Sequence, residues 1–178
     1  MQEFVATVAA ARALAETLGP RMHLLRDEEG WSALDVAVAA GSMSAFDSLL
    51  AMGSDPFMPD EARTTILAVA CGNDQPAMAL RAIELGVDAD SADREGMTPL
   101  MLAARSGAAR CVAILLARGA DFERVDSHGQ DARAHANALG SWRAECIELL
   151  AEAWARKEAR ELAEATPSSR PASRKGAL

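Results

Sequence analysis

Tyrosine is absent from this sequence, and aromatic residues make up only 4% of it. Alanine fills much of the apolar half instead. That mixture suits closely packed helices better than a β-sandwich, which wants β-branched and aromatic side chains. Lysine is scarce as well, two against sixteen arginines, and with the alanine content this points to a GC-rich bacterial gene. The cysteines, Cys71, Cys111 and Cys146, form an odd set without metal-ligand spacing, so a reduced, cytoplasmic setting is expected. No apolar run approaches the roughly 20 residues that span a bilayer. The alanine-rich start, Met1 to Pro20, lacks a basic lead and carries Glu3, Arg12 and Glu16, which argues against a secretory signal. A Gly-rich phosphate loop, a nucleophile elbow and a His-x-x-x-His pair are also missing.

Positive charge is in short supply outside the last stretch. The chain carries −8 in total, while Thr166 to Leu178 holds Arg170, Arg174 and Lys175 and no acid, leaving −11 on the first 165 residues. An acidic body argues against nucleic acid, where phosphate neutralisation supplies most of the affinity. A protein partner with a basic patch fits better, although acidity also serves plain solubility.

What the sequence does have is a period. Asp27, Asp60, Asp93 and Asp126 stand 33 residues apart, and so do Ala37, Ala70, Ala103 and Ala136. Leu34, Leu67 and Leu100 keep the same step, as do Gly53, Gly86 and Gly119, each followed by Asp55, Asp88 or Asp121. A 33-residue period in shared register marks a stack of like units that bury a core only together. The third copy reads Met97-Thr98-Pro99-Leu100-Met101-Leu102-Ala103-Ala104, then Gly107, a leucine-rich stretch, and Gly119-Ala120-Asp121. In these residues the chain resembles the ankyrin family. The resemblance implies an all-α solenoid of helix-turn-helix units with short projecting β-hairpin-like turns, and it runs from about Asp27 to Ala151.

Each landmark has a mechanical role. Thr98 caps a helix whose first residue is Pro99, where a missing N–H costs nothing. Ser32, Thr65 and Asp131 occupy the same capping place. The Asp-x-x-Gly stretches turn the chain tightly. The second copy lacks two glycines, with Arg63 at the tip and Asp74 at the inner turn, so it is expected to be the loosest unit. The family's Thr-Pro-Leu-His histidine place holds Asp35, Ala68, Met101 and Ala134, which removes the usual Thr–His bonding.

The resulting division is an N-terminal capping helix and loop over 1–26, repeats over 27–59, 60–92 and 93–125, a capping repeat with an extended helix over 126–165, and a disordered basic tail over 166–178. The N-terminal helix shows Phe4, Val8, Ala11, Ala15 and Leu18 on one side. In the last repeat Arg133 replaces the leucine of the Leu34 column, as an end unit meeting water requires.

Catalytic groups do not assemble. His23 lies outside the repeats, His128 sits at a hairpin tip, and His135 falls in an inward column as a packed side chain. The cysteines read as small packed thiols. No enzyme activity, cofactor or metal is expected, and the unbound chain is expected to be a monomer.

By the resemblance, partners are held by the hairpin tips and the exposed ends of the first helices. Carried over place by place, the candidate contacts are Glu28, Glu29 and Trp31; Glu61, Thr64 and Asn73; Arg94, Glu95, Met97 and Arg105; and His128 and Gln130. Trp31 is the strongest, since tryptophan is enriched in interface hot spots; alternatively it folds over Leu24 and Leu25 to seal the cap. Met97 is an anchor or a cover for its neighbouring hairpin. Phe57 and Met58 offer a second apolar spot or simple loop packing. The early tips are acidic and the later ones introduce Arg94, Arg105, Arg124 and His128, which places a basic partner surface against the first two repeats. The function expected is a protein-interaction module, whether adaptor, regulator or immunity-type inhibitor. The alternative is a secreted effector whose basic tail is the export signal.

Overall fold

The computed structural model of the chain describes residues 26–28, 30–60, 62–138 and 143–165. The expected N-terminal capping helix and the basic tail lie outside the described residues. Among the described residues the helices come in pairs: α1 (Ala33–Ala39) with α2 (Met43–Ala51), α3 (Ile66–Gly72) with α4 (Pro76–Glu84), α5 (Pro99–Ser106) with α6 (Ala109–Ala117), and α7 (Ala132–Asn137) with α8 (Ala144–Ala165). The first helices pack in a row, α1 on α3, α3 on α5 and α5 on α7, while α4 lies against α6 and α6 against α8. The chain is therefore an all-α, stacked helix-turn-helix solenoid.

The repeating columns explain the row. Ala70, Ala103 and Ala136 are fully buried and Ala37 nearly so, which lets consecutive inner helices approach closely. Leu34, Leu67 and Leu100 fill the space between pairs at 3%, 0% and 1% exposure, each burial stabilising by about 1.5–3 kcal/mol. The caps are in the places the sequence marks. Ser32, Thr65, Thr98 and Asp131 accept from the backbone N–H three residues on, satisfying donors that a helix start leaves free. Side chains also bridge units: the Ser106 hydroxyl donates to the Cys71 carbonyl at 3.1 Å, and Gln75 Nε2 donates to the Ala39 carbonyl at 3.3 Å.

The last described pair departs from the others. Helix α8 runs for 22 residues, past the place where the earlier second helices stop at a glycine. Trp154 on its extension meets Phe122 edge-on at 5.2 Å between ring centroids. The Arg133 guanidinium and Lys157 Nζ each lie 5.9 Å from the Trp154 ring, and Lys157 pairs with Glu123. Arg133, in the leucine column, thus faces water and covers an indole.

Candidate partner-binding face

The turns that precede the inner helices are built by the aspartate column. In each, the Asp N–H donates to the carbonyl four residues on, at 3.0 or 3.1 Å, for Asp27, Asp60, Asp93 and Asp126. One carboxylate oxygen of the same Asp accepts from the N–H of that residue: Trp31 and Thr64 at 2.7 Å, Met97 and Gln130 at 2.9 Å. The backbone bond alone leaves that second N–H without an acceptor, so aspartate is the residue that closes the hairpin. Strands are not formed among the described residues; an isolated bridge pairs Arg26 with Ser32. Neighbouring hairpins are tied to one another, Arg94 N–H to the Ala62 carbonyl at 3.0 Å and Ser127 N–H to the Glu95 carbonyl at 2.8 Å. The tips of the second, third and fourth hairpins therefore form a continuous edge.

Most of the sequence-derived contacts lie on this edge or at the ends of the inner helices. Glu28, Arg94, Glu95, His128 and Gln130 are exposed at the tips, and Asn73 and Arg105 are exposed at or near the ends of α3 and α5. Thr64 is half-buried. Asn73 donates its side-chain N–H to the Val69 carbonyl at 2.9 Å, so half of its amide serves its own helix. Glu29 and Glu61 lie outside the described residues.

Met97 differs from the exposed tip residues. It is only 4% exposed and belongs to the core, because the next hairpin closes over it: a Cβ on the adjacent Gly96 would stand 3.2 Å from the Asp126 Cα. Of its two readings, anchor or cover, the burial of Met97 fits the cover for the neighbouring hairpin. Trp31, in the same column, is half-buried and packs against the core. Phe57 and Met58 stay 55% and 45% exposed on the loop after α2, away from the tips.

Several polar arrangements were not foreseen. Where the histidine of the Thr-Pro-Leu-His motif is missing, Asp35 takes over at the first helix. Its Oδ2 accepts from both the Ser32 N–H, at 2.8 Å, and the Ser32 hydroxyl, at 2.7 Å. Asp35 is 1% exposed and its Oδ1 has no hydrogen-bond partner. Burial pushes its carboxyl above the ordinary value, against the lowering effect of the Ser32 bonds. The Ser-x-x-Asp spacing carried this signal. At the last hairpin the buried His135 Nε2 lies 2.9 Å from Asp126 Oδ2. The Gln130 N–H, then those of His128 and the His135 ring, hold Asp126 below its ordinary value. The His135 carbonyl accepts in turn from the buried Arg143 at 3.0 Å. No local spacing announces these bonds.

The Asp126–His135 pair closes a turn. The cysteines are fully buried; the bonded Cys111 thiol, and then burial, push the Cys71 thiol well up. Among the described residues no group of three or more His, Cys, Asp or Glu side chains could hold a metal ion, and no helix is long and apolar enough to cross a membrane.

A profile of ankyrin repeats in three copies matches this chain over residues 34–126 and again over 66–161. The chain belongs to the ankyrin-repeat family. Its similarity to curated proteins lies in the repeats. It is 29% identical to the Neurogenic locus notch homolog protein 1 of Xenopus tropicalis over 150 residues, which are 84% of this chain and 6% of that protein. It is 37% identical to human Ankyrin repeat domain-containing protein 63 over 95 residues, 51% of this chain and 25% of that one. With human Protein phosphatase 1 regulatory subunit 27 the identity is 36% over 70 residues, 39% of this chain and 46% of that protein. The chain thus spans less than half the length of each of these relatives. Family and fold together describe a repeat scaffold of the kind generally used for protein–protein interaction.

Proposed function

We propose that the protein binds one dedicated partner protein along the edge formed by its hairpin tips and inner-helix ends, acting as an adaptor, regulator or inhibitor of that partner. The four helix pairs are read as four repeats over 27–59, 60–92, 93–125 and 126–165, each contributing one rung. The observation that carries this is the division of labour at the tips. In each hairpin the Asp carboxylate is engaged in the turn, while the residues one and two places later are exposed and variable: Glu28, Arg94 and Glu95, Ser127 and His128. Fixed turns carrying unlike side chains are what a selective surface needs. Glu28, exposed at the first tip, gives the first rung a negative charge for a basic patch on the partner.

The test is site-specific photocrosslinking in the native host. A photoreactive side chain at Glu28 or Gln130 is expected to capture the same partner, and one at Arg110 on α6 is expected to capture none. Equal capture from all three positions, or capture from Arg110 alone, overturns the assignment. Charge reversal by Glu28→Lys should weaken the complex and reduce its sensitivity to salt.

A further inference from the structure

Arg63 stands at a hairpin tip where the other three repeats have Gly30, Gly96 and Gly129. Its φ is +67°, in the left-handed region, which is costly for any residue with a Cβ. Strain of this kind collects at functional sites, and here it lifts an arginine onto the partner-facing edge. The guanidinium is exposed and, like those of Arg94 and Arg105, makes no hydrogen bond or ion pair with any described residue.

Its neighbour across the edge is another free arginine. Arg94 sits on the next hairpin, and its backbone N–H donates to the carbonyl of Ala62, the residue before Arg63. Arg105, in the last turn of α5, is exposed and unpaired at the inner-helix end of the same repeat as Arg94. Many other described arginines are engaged: Arg26 on two carbonyls, Arg81 with Asp47, Arg124 on the Asp90 carbonyl, Arg156 and Arg160 with glutamates. Arg110 and Arg118 are also unpaired, but they lie on and just after the second helix α6 without positive φ.

We propose that Arg63, Arg94 and Arg105 form a carboxylate-binding patch at the middle of the partner-binding edge, which takes an acidic stretch of the partner protein. It rests on the reading of that edge given above and adds a second charge subsite. The partner is then basic where it meets Glu28 and acidic where it meets the second and third repeats. Carboxylates suit the site because the planar guanidinium offers paired donors that match them. A nucleic acid is the less favoured source of anions, since three cations on a chain of net charge −8 neutralise few phosphates.

Fluorescence anisotropy of the full chain with labelled hexaglutamate, hexalysine and single-stranded oligothymidine probes tests this. Hexaglutamate is expected to bind, more weakly as salt rises, and excess unlabelled hexaglutamate is expected to displace it. Labelled hexalysine, titrated separately, is expected to keep its affinity in the Arg63→Gly variant. Arg63→Gly should weaken hexaglutamate by about fivefold or more while raising the melting temperature, because it restores the tip glycine. Lost binding in a more stable protein cannot come from misfolding. Arg94→Ser and Arg105→Ser should each weaken the probe, and Arg110→Ser should not. The proposal fails if hexaglutamate does not bind at low salt, if Arg63→Gly leaves it unchanged, if Arg110→Ser weakens it equally, or if oligothymidine binds more tightly through the same arginines. Photocrosslinking reads contact at the edge without regard to charge. Successful capture beside a failed peptide test therefore removes this patch alone.

Discussion

Among the described residues, two with side chains occupy left-handed backbone, Arg63 at φ +67° and Asp74 at φ +51°, and replacing both with glycine should make the protein more stable. The equivalent positions in the other repeats are glycines with φ from +64° to +86°, Gly41 and Gly107 for Asp74, and Gly30, Gly96 and Gly129 for Arg63. A left-handed residue with a Cβ costs about 1–2 kcal/mol, and the extra unfolded freedom of glycine gives back about 0.5–1 kcal/mol. The net gain is about 0.5–1 kcal/mol per site, lowest for Asp74 because aspartate tolerates this region best. The two positions flank α3, roughly 10 Å apart along its axis, so the gains should add to about 1–2 kcal/mol. At an m-value of about 1–3 kcal/mol/M the urea midpoint should rise by about 0.5–1 M. Urea titration followed by both far-UV circular dichroism and tryptophan fluorescence measures it. An unchanged or lower midpoint in the double variant refutes the strain argument. The reciprocal variant is Gly129→Arg, at φ +74°, where a Cβ would meet nothing within 4 Å. It should lose stability through backbone strain alone, and a cost-free Gly129→Arg would refute the same premise from the other side.

Amide exchange should show where that strain sits. The Arg63 and Gln75 amides, which close the two turns around α3, should exchange faster than those of Gly96 and Ala108 in the third repeat. The reverse order would show that the second repeat is not the loosest. Asp126 and Asp35 should respond to pH in opposite senses. Asp126 is held below its ordinary value, so its stabilisation is complete above about pH 4 and is lost as the pH falls through the lowered value. Asp35 is held above its ordinary value, so its stabilisation is complete below about pH 4 and is lost as the pH rises through the raised value. Asp126→Asn should accordingly flatten the acid limb of a plot of urea midpoint against pH. Asp35→Asn should gain on the wild type as the pH is raised toward neutrality. Parallel curves for wild type and either variant would contradict the assignment. Trp154→Ala removes the ring shared by Phe122, Arg133 and Lys157 and should cost about 1–3 kcal/mol for a half-buried aromatic. Thermal melting checks that value, and a loss under about 0.5 kcal/mol would make the extension of α8 a free arm.

The helical stack was legible because its determinants are local and repeat at one interval. Caps at Ser32, Thr65, Thr98 and Asp131, the alanine column and the leucine column each state their role in place, and Arg133 in the leucine column marks the end unit. Where determinants are relational, spacing carries no signal. His135 bonds Asp126 across a hairpin and the start of a helix, and nothing in nine residues of sequence separates that bond from ordinary core packing. Met97 and Trp31 share a column, yet one is buried beneath a neighbouring hairpin and the other only half so. The difference lies in which unit comes next in space.

The same limit bears on charge, and there it changes the functional reading. Counted along the sequence, the early tips are acidic because Asp27 and Asp60 stand beside glutamates. In the structure both aspartates accept hydrogen bonds within their own turns at 2.7 Å, as Asp93 and Asp126 do in the later repeats. A carboxylate fixed in this way still contributes to the field but cannot turn to meet a ligand. Glu28 and Glu95 are left as described, exposed acids at the tips, while Arg63, Arg94 and Arg105 have no hydrogen-bond or ion-pair partner among the described residues. The described edge therefore offers free groups of both signs, with fewer free carboxylates than its composition implies. On the reading proposed above, the partner carries both signs in order along its surface, a more restrictive requirement than a basic patch.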